Sequence, residues 1–209
     1  MTSLTKVFSG DSNVMAGSVV LKESGRFYSV LKPLMDKEYE ELLWSGNGKE
    51  STPTVVYTNT NTEDAIFLER NSRSFMERSK RINATAEYLA DMLVAHPKVG
   101  QVYYPKYITT AEYNAVKRSA DSGYGGLMSI VLKHKEAGVQ LFDALDICKG
   151  PSLGTNFTLS CPYTIIAHYD ELDWAESCGV SRYLVRVSIG LEDPEELWAV
   201  FSRALDQCH

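Results

Sequence analysis

Apolar residues recur at helical spacing in some segments and alternate in others, so the pattern predicts both helices and strands. The clearest helix is residues 193–207, where the apolar side chains form one stripe. At its start Asp193 and Glu196 have capping-box spacing, with Asp in place of Ser or Thr, and Pro194 takes the first helical position. A second helical pattern covers residues 64–96 and ends at the following proline.

Shorter segments fill the rest of the chain with alternating strands and helices. Their spacing predicts strands at residues 14–21, 99–104, 127–132, 155–160 and 183–189, and helices at residues 27–43, 111–118 and 136–145. This alternation indicates a layered α/β or α+β domain, because each element must bury its apolar face against another.

Residues 45–62 do not follow this pattern. Thirteen of these 18 residues are Ser, Thr, Asn, Gly or Pro, a composition that offers little apolar surface to bury. We therefore predict a loop in this segment.

The composition excludes several classes of protein. The chain has 209 residues, of which 44% are hydrophobic and 23% charged, as in ordinary globular proteins. Its 21 Lys and Arg against 27 Asp and Glu give a net charge of −6, which argues against nucleic-acid binding through a basic face. No apolar run is long enough to span a membrane, and residues 1–6 lack the features of a signal peptide. Four cysteines without metal-ligand spacing favour unpaired thiols, so we expect a cytoplasmic protein.

Candidate chemistry begins at the amino end, where Lys6 follows Ser3 and Thr5. A lysine amine can form a Schiff base with an aldehyde such as pyridoxal phosphate, and nearby hydroxyls can bind the phosphate. In an extended segment the side chains of Ser3 and Thr5 point the same way. The alternative is an ordinary surface lysine.

The strand predicted at residues 183–189 carries a second candidate. Val185 and Val187 share one face of this strand, whereas Arg186 lies on the other face with Ser188. A guanidinium matches a carboxylate through two parallel hydrogen bonds, so Arg186 is suited to an acidic ligand. The alternative is an ion pair between Arg186 and a nearby helix.

Two further features are polar but less specific. The turn at residues 150–157 presents backbone N–H groups and the Ser152 hydroxyl, which suits an anion, although most such turns are only connections. The helix predicted at residues 64–96 is basic, and we interpret its charges as a solvated or interface face. These charges are Arg70, Arg73, Arg78, Lys80 and Arg81.

Five separated segments carry a resemblance to a known family. In chain order they are SLTKVFSGDSNVMAG, FMERSKRINATAEYLADMLVAHPKVGQVYYP, YGGLMSIVL, KGPSLGTNF and LVRVSIGLEDPEELWAVFSRAL. Together they resemble the Cys/Met-metabolism (transsulfuration) family of pyridoxal-phosphate enzymes, most of all its fungal cystathionine γ-synthase-like members. The resemblance implies the C-terminal part of the type I, aminotransferase-like α/β fold, with a small domain made of an antiparallel sheet and helices.

The resemblance also implies a role for each candidate residue. Lys6 would form the Schiff base with pyridoxal 5'-phosphate and carry protons between substrate carbons. Ser3 and Thr5 would bind the cofactor phosphate. Arg186 and Ser152 would hold the α-carboxylate of an amino-acid substrate and so orient its Cα–H bond. No metal is implied.

The implied reaction is γ-replacement on an O-acylated homoserine by a thiol such as cysteine, in methionine biosynthesis or in the synthesis of a secondary metabolite. A γ-lyase or an O-acetylhomoserine sulfhydrylase is the alternative within the family. A non-catalytic, truncated remnant or assembly subunit is the alternative outside enzyme function. The resemblance implies a homotetramer with a small-molecule substrate, and neither nucleic acid nor membrane as a partner.

The position of the lysine sets the expected domain organisation. The family's lysine lies well inside its chain after a large cofactor domain, whereas here it is residue 6. We expect residues 1–43 to be a remnant of that domain, residues 44–63 an atypical flexible insertion, and residues 64–209 a long connecting helix and the small domain. The truncated chain is expected to lack most cofactor contacts. We interpret residues 45–62 as translated intron, with a flexible surface loop as the alternative.

Overall fold

The computed structural model describes residues 1–38, 62–119 and 121–209. The loop predicted at residues 45–62 lies outside these residues, except that a helix begins with Thr62. The chain divides into two compact units, Met1–Phe75 and Met76–His209, which are described separately below. No helix within the described ranges combines the length and the apolar character that a membrane crossing requires. The three-part domain division remains a prediction.

Over residues 1–38 and 62–75, the first unit contains two short strands and two helices. The strands β1 (Thr2–Ser3) and β2 (Gly17–Ser18) pair antiparallel, and a π-helical turn follows β1. The helices are α1 (Tyr28–Glu38) and α2 (Thr62–Ser72). The helix predicted from residue 27 is therefore confirmed as far as the structure describes it.

The strand predicted at residues 14–21 is wrong except at β2. The backbone N–H and C=O of Ala16 are occupied by Thr5 and Leu4 rather than by a strand ladder. Met15 and Val20 are mostly exposed, so their apolar side chains have no layer to pack against. The β-rich composition alone was therefore not sufficient to form a longer strand.

The second unit is a five-stranded sheet with helices. Its strands are β3 (Val99–Tyr103), β4 (Leu127–Leu132), β5 (Cys148–Lys149), β6 (Leu159–Cys161) and β7 (Val185–Ser188), in the order β3-β4-β7-β6-β5. Its helices are α3 (Phe75–Ala95, which begins at the unit boundary), α4 (Thr110–Val116), α5 (Ala137–Ala144), α6 (Tyr163–Ala167), α7 (Leu172–Ser177) and α8 (Pro194–Asp206). All strand pairs are antiparallel except β5–β6, so the predicted antiparallel small domain is confirmed with one parallel pair.

Two predicted elements differ from the structure. The helical pattern at residues 64–96 forms two helices, because the chain turns between Ser72 and Phe75. The strand predicted at residues 155–160 is paired only from Leu159 onward. The backbone before Leu159 binds the segment after β7 instead: the N–H of Leu191 donates to the carbonyl of Asn156.

One face of the sheet packs against the helices to form the core of the second unit. The α3 residues at the predicted three- and four-residue steps (Ile82, Ala86, Leu89 and Leu93) are all at most 4% exposed. They meet Val185 and Val187 of β7 and Phe201 of α8 in one buried cluster. Because Val185 and Val187 point into this core, the alternating side chain of Arg186 lies on the opposite face, as predicted.

The cap at the start of α8 gives a first testable prediction. The Asp193 carboxylate accepts hydrogen bonds from the N–H groups of Glu195 at 2.9 Å and Glu196 at 3.2 Å. Asp193→Ala removes the oxygen that accepts both bonds, and we expect the free energy of unfolding to fall by about 1 kcal/mol in urea titrations. Glu195→Ala is the matched control, since it removes an exposed acid in the same turn. It should lower the free energy of unfolding by only a few tenths of the loss in Asp193→Ala. Equal losses in both variants would contradict a capping role.

Candidate active site

The lysine segment is a tight turn rather than an extended chain. The strand β1 ends at Ser3, Leu4 is helical (φ −86°, ψ −15°), and a π-helical turn covers Thr5–Ser9. The backbone at Lys6 (φ −80°, ψ −127°) departs from helical geometry within this turn. The assumption of an extended segment from Ser3 to Thr5 is therefore wrong, because the chain bends at Leu4. Gly10 closes the turn at φ 79°, a conformation that favours glycine.

The two hydroxyls before the lysine have different surroundings. The Thr5 hydroxyl accepts the N–H of Ala16 at 2.8 Å, and its contact with the Ala16 carbonyl at 3.3 Å is long. Its hydrogen can therefore turn to another acceptor. The Ser3 hydroxyl is exposed and has no hydrogen-bond partner among the residues that the structure describes. Both hydroxyls can therefore donate a hydrogen bond to an anion.

Asn71, which was not among the predicted site residues, supports this turn. The Asn71 amide nitrogen donates to the hydroxyl of Ser9 and to the side-chain oxygen of Asn13, both at 2.8 Å. Asn71 is 6% exposed, so breaking these bonds would leave a buried amide to be satisfied elsewhere. A sequence signal existed, because Asn71 lies three residues after Leu68, on the apolar side of its own helix α2.

The Arg186 guanidinium is held on two sides. Its Nη2 donates to the carbonyl oxygens of Pro151 at 2.6 Å and Ser152 at 3.2 Å. Its Cζ lies 4.7 Å from the centre of the Tyr163 ring. Within the described part of the chain no carboxylate pairs with Arg186, so the predicted alternative of an ion pair with a helix is not observed. The Nε and Nη1 donors remain for a ligand.

Ser152 therefore contacts Arg186 through its backbone carbonyl. The turn that carries it is fixed to the strand β7 and the segment after it. The N–H of Gly154 donates to the buried hydroxyl of Ser188 at 2.8 Å, and the N–H of Gly190 donates to the Thr158 hydroxyl at 3.0 Å. These bonds hold the carbonyls that orient Arg186.

Arg78 also supports the 150–157 turn, and its predicted role was wrong. It is 7% exposed, and its Nη1 donates to the side-chain oxygen of Asn156 at 2.9 Å. The other four are exposed, which agrees with the interpretation as a solvated or interface face: Arg70, Arg73, Lys80 and Arg81. A buried arginine costs solvation energy that such a bond offsets, so Arg78 fixes the turn.

Cys161 is the cross-strand neighbour of Arg186 in β6. Burial raises the pKa of the Cys161 thiol, and the positive charge of Arg186 acts in the opposite direction. The thiol is consequently neutral at physiological pH and does not compete with a carboxylate for the arginine. All four cysteines are unpaired, as predicted, and no metal-ligand cluster occurs among the described residues.

The candidate residues thus form two groups. Lys6, Ser3 and Thr5 lie in the first unit, and Arg186 and Ser152 lie in the second. Within each group the structure brings together the residues that the sequence analysis selected.

The substitution Gly190→Ala tests whether the stability of the protein depends on the position of the 150–157 turn. A Cβ at this position would lie 2.5 Å from the Cα and carbonyl carbon of Phe157, which are backbone atoms. We expect Gly190→Ala to displace the 150–157 turn and to lower the free energy of unfolding by about 1–3 kcal/mol in urea. Gly150→Ala is the control, because its Cβ would meet only the Leu159 side chain at 3.8 Å. If Gly190→Ala leaves the free energy of unfolding unchanged and only Gly150→Ala lowers it, this interpretation is wrong.

Comparisons with known proteins agree with the resemblance found in the sequence. The family model described as "Cys/Met metabolism PLP-dependent enzyme" matches residues 1–206. Cystathionine gamma-synthase of Neurospora crassa is 48% identical over 206 residues, and that of Saccharomyces cerevisiae is 44% identical over 215 residues. These alignments cover 98% and 99% of this chain but 30% and 31% of the relatives, so the chain spans about a third of their length.

Solved structures show the same fold. A cystathionine gamma-lyase from Micromonospora echinospora superposes with a TM-score of 0.73 at 25% identity, covering 98% of this chain and 49% of that one. A cystathionine gamma-synthase from Xanthomonas oryzae pv. oryzae, solved with aminoacrylate and cysteine, gives a TM-score of 0.72 at 26% identity over the same shares. The predicted fold class is confirmed, and the chain belongs to the Cys/Met metabolism family of PLP-dependent enzymes.

Proposed function

We propose that this chain supplies the cofactor lysine and the substrate-binding arginine of a PLP-dependent transsulfuration enzyme. The reaction is γ-replacement on an O-acylated homoserine by a thiol, as in cystathionine γ-synthases. The proposal rests on one observation: backbone carbonyls and an aromatic ring hold the Arg186 guanidinium in place. No carboxylate among the described residues neutralises it.

The lysine segment fits a phosphate-bearing aldehyde. Ser3 and Thr5 can each donate a hydroxyl hydrogen to a phosphate oxygen, and Lys6 follows directly. Asn71 stabilises the turn that places the Lys6 amine. The residues present therefore fit pyridoxal 5'-phosphate, with Lys6 binding its aldehyde carbon and the two hydroxyls binding its phosphate.

Each of these residues then has its own role in the reaction. When bound, pyridoxal phosphate withdraws electrons from the substrate carbons, which makes their protons acidic. Arg186 binds the substrate carboxylate through Nε and Nη1 and orients the Cα–H bond, and the Ser152 carbonyl holds the arginine in place. The Lys6 amine would take up the Cα and Cβ protons in turn and would return them to these carbons once the new bond has formed. The acyl group would leave Cγ as a carboxylate, and the thiol sulfur would form the new bond to Cγ with release of its proton.

The compartment, the oligomeric state and the domain organisation of the enzyme are also proposed. We place it in the cytoplasm as a homotetramer, with residues 1–43 belonging to a cofactor domain and residues 64–209 to the connecting helix and small domain. The cysteines support a reducing compartment, because none of the four is paired.

A hybrid enzyme tests the function. In this hybrid, the matching segment of Saccharomyces cerevisiae cystathionine γ-synthase is replaced by the full 209-residue chain. We expect it to form cystathionine from an O-acylated homoserine and cysteine. Production of a keto acid and ammonia from cystathionine alone would favour a γ-lyase, and the use of sulfide in preference to cysteine would favour a sulfhydrylase. A folded hybrid with no turnover would support the non-catalytic alternative.

A further inference from the structure

Tyr163 stands beside the proposed substrate-binding arginine. It is the first residue of α6 and follows Pro162, directly after the strand β6. The preceding residue on that strand, Cys161, pairs with Arg186 in the sheet. The chain path therefore delivers the Tyr163 ring to the face of the sheet on which the arginine lies.

The ring contacts the guanidinium at cation–π distance. The Arg186 Cζ lies 4.7 Å from the ring centre, within the limit of about 6 Å for such contacts. The other constraint on the guanidinium is the pair of bonds from Nη2 to the carbonyls of Pro151 and Ser152. Both bonds come from one nitrogen and lie in the plane of the guanidinium, so they hold the group at one end only. The guanidinium lies over the Tyr163 ring, which adds a contact from outside this plane.

The ring itself is on an anchored element. The hydroxyl of Thr164, the next residue, donates to the carbonyl of Ser181 at 2.8 Å in a buried position. The His168 ring lies edge-on to Tyr163, with 6.1 Å between the ring centres. The position of Tyr163 is therefore set by the fold and does not depend on a ligand.

We propose that Tyr163 is a positioning residue for substrate binding, which acts by holding the Arg186 guanidinium against its ring. The Nε and Nη1 edge is then presented to the α-carboxylate in a fixed direction before the substrate arrives. This inference rests on the proposed role of Arg186. It states that the orientation of Arg186 requires an aromatic ring at position 163, in addition to its charge and hydrogen bonds.

The test combines kinetics of the hybrid enzyme with a double-mutant cycle. We expect Tyr163→Leu to raise KM for the O-acylated homoserine about 3- to 10-fold with a smaller change in kcat, because the carboxylate contact is present before and during the reaction. Tyr163→Phe keeps the ring and should stay within about twofold. In an Arg186→Leu background, Tyr163→Leu should have no further effect on KM. Tyr169→Leu, at a tyrosine that is 72% exposed, is the matched control and should leave KM unchanged.

A second measurement does not depend on turnover. In NMR spectra of the chain, the Arg186 Nε–H signal should be shifted upfield by the Tyr163 ring, and Tyr163→Leu should return it to the position of an exposed arginine. An unshifted signal in the wild type would overturn the inference. So would an equal rise in KM from Tyr163→Leu in both Arg186 backgrounds, or a loss in Tyr163→Phe as large as in Tyr163→Leu. If Arg186→Leu leaves KM unchanged or the folded hybrid is inactive, the proposed function fails, and this inference fails with it.

Discussion

Replacing Lys6 by Ala should lower kcat of the hybrid enzyme by at least about a thousandfold. The amine has two proposed roles, since it binds the cofactor aldehyde and then accepts protons from the substrate carbons. General base catalysis by a positioned group contributes about 10²- to 10⁴-fold, and the attachment role adds to this. The measurement is cystathionine formed from an O-acylated homoserine and cysteine. Lys6→Arg should lose as much, because its guanidinium neither attacks an aldehyde nor accepts a proton.

The control for this prediction is Lys22→Ala, which removes an exposed lysine of the same unit. Its turnover should match the wild type. A chemical readout accompanies the kinetics: borohydride reduction in the presence of pyridoxal phosphate should attach the cofactor to the peptide that contains Lys6. Attachment at another lysine, or undiminished turnover by Lys6→Ala, would refute the assignment. Asn71→Ala should weaken the labelling of Lys6 without abolishing it, because it loosens the turn and leaves the amine in place.

Much of the small domain followed from apolar periodicity alone. The stripe at Ile82, Ala86, Leu89 and Leu93 became the buried face of α3, and the alternation along β7 correctly put Arg186 opposite the core. These predictions succeeded because burial of apolar area dominates where an element lies. The cap at Asp193 succeeded for a local reason, since the orphan N–H groups of the first turn need an acceptor.

The failures are segments whose backbone bonds to something distant in sequence. Residues 14–21 have strand-like composition, but Ala16 bonds to Leu4 and Thr5 in place of a ladder. Residues 155–158 bond to the segment after β7, where the Glu192 carboxylate accepts hydrogen bonds from both the N–H and the hydroxyl of Thr158. Arg78 was predicted on a solvated or interface face, because its hydrogen-bond partner Asn156 lies 78 residues away in the sequence. Periodicity within a window cannot reveal such partners.

The same distinction applies to the candidate site. Short motifs were sufficient to select Lys6 and Arg186 as candidates, whereas the groups that contact or support them could not be found in this way. Asn71, Arg78 and Tyr163 act through bonds and contacts that join separate elements. A polar residue on an otherwise apolar helical stripe was the one sequence signal that pointed to Asn71 and Arg78.

Replacing Arg186 by Leu should raise KM for the amino-acid substrate by about a hundredfold in the hybrid enzyme. Hydrogen bonds to charged groups contribute about 1.5–3 kcal/mol, and each 1.4 kcal/mol corresponds to tenfold in binding. Arg186→Lys keeps the charge but loses the planar pair of donors and the stacking on Tyr163, so we expect a rise of about tenfold. The effect should appear mainly in KM, because the carboxylate is bound equally before and during the reaction. A smaller fall in kcat should accompany it where the Cα–H bond loses its orientation.

The control and the specificity test for Arg186 follow from its geometry. Arg203→Leu removes an exposed arginine of α8 and should leave KM unchanged. An amide analogue of the substrate, which lacks the negative charge, should bind wild type and Arg186→Leu about equally, because only the carboxylate distinguishes them. If the variant instead loses affinity for the amide as strongly as for the acid, then Arg186 supports the fold through Pro151 and Ser152 and does not recognise a carboxylate. Because Nη2 alone makes those two structural bonds, Arg186→Lys separates the possibilities further. A lysine that restores stability but not KM would locate the function in the Nε and Nη1 edge.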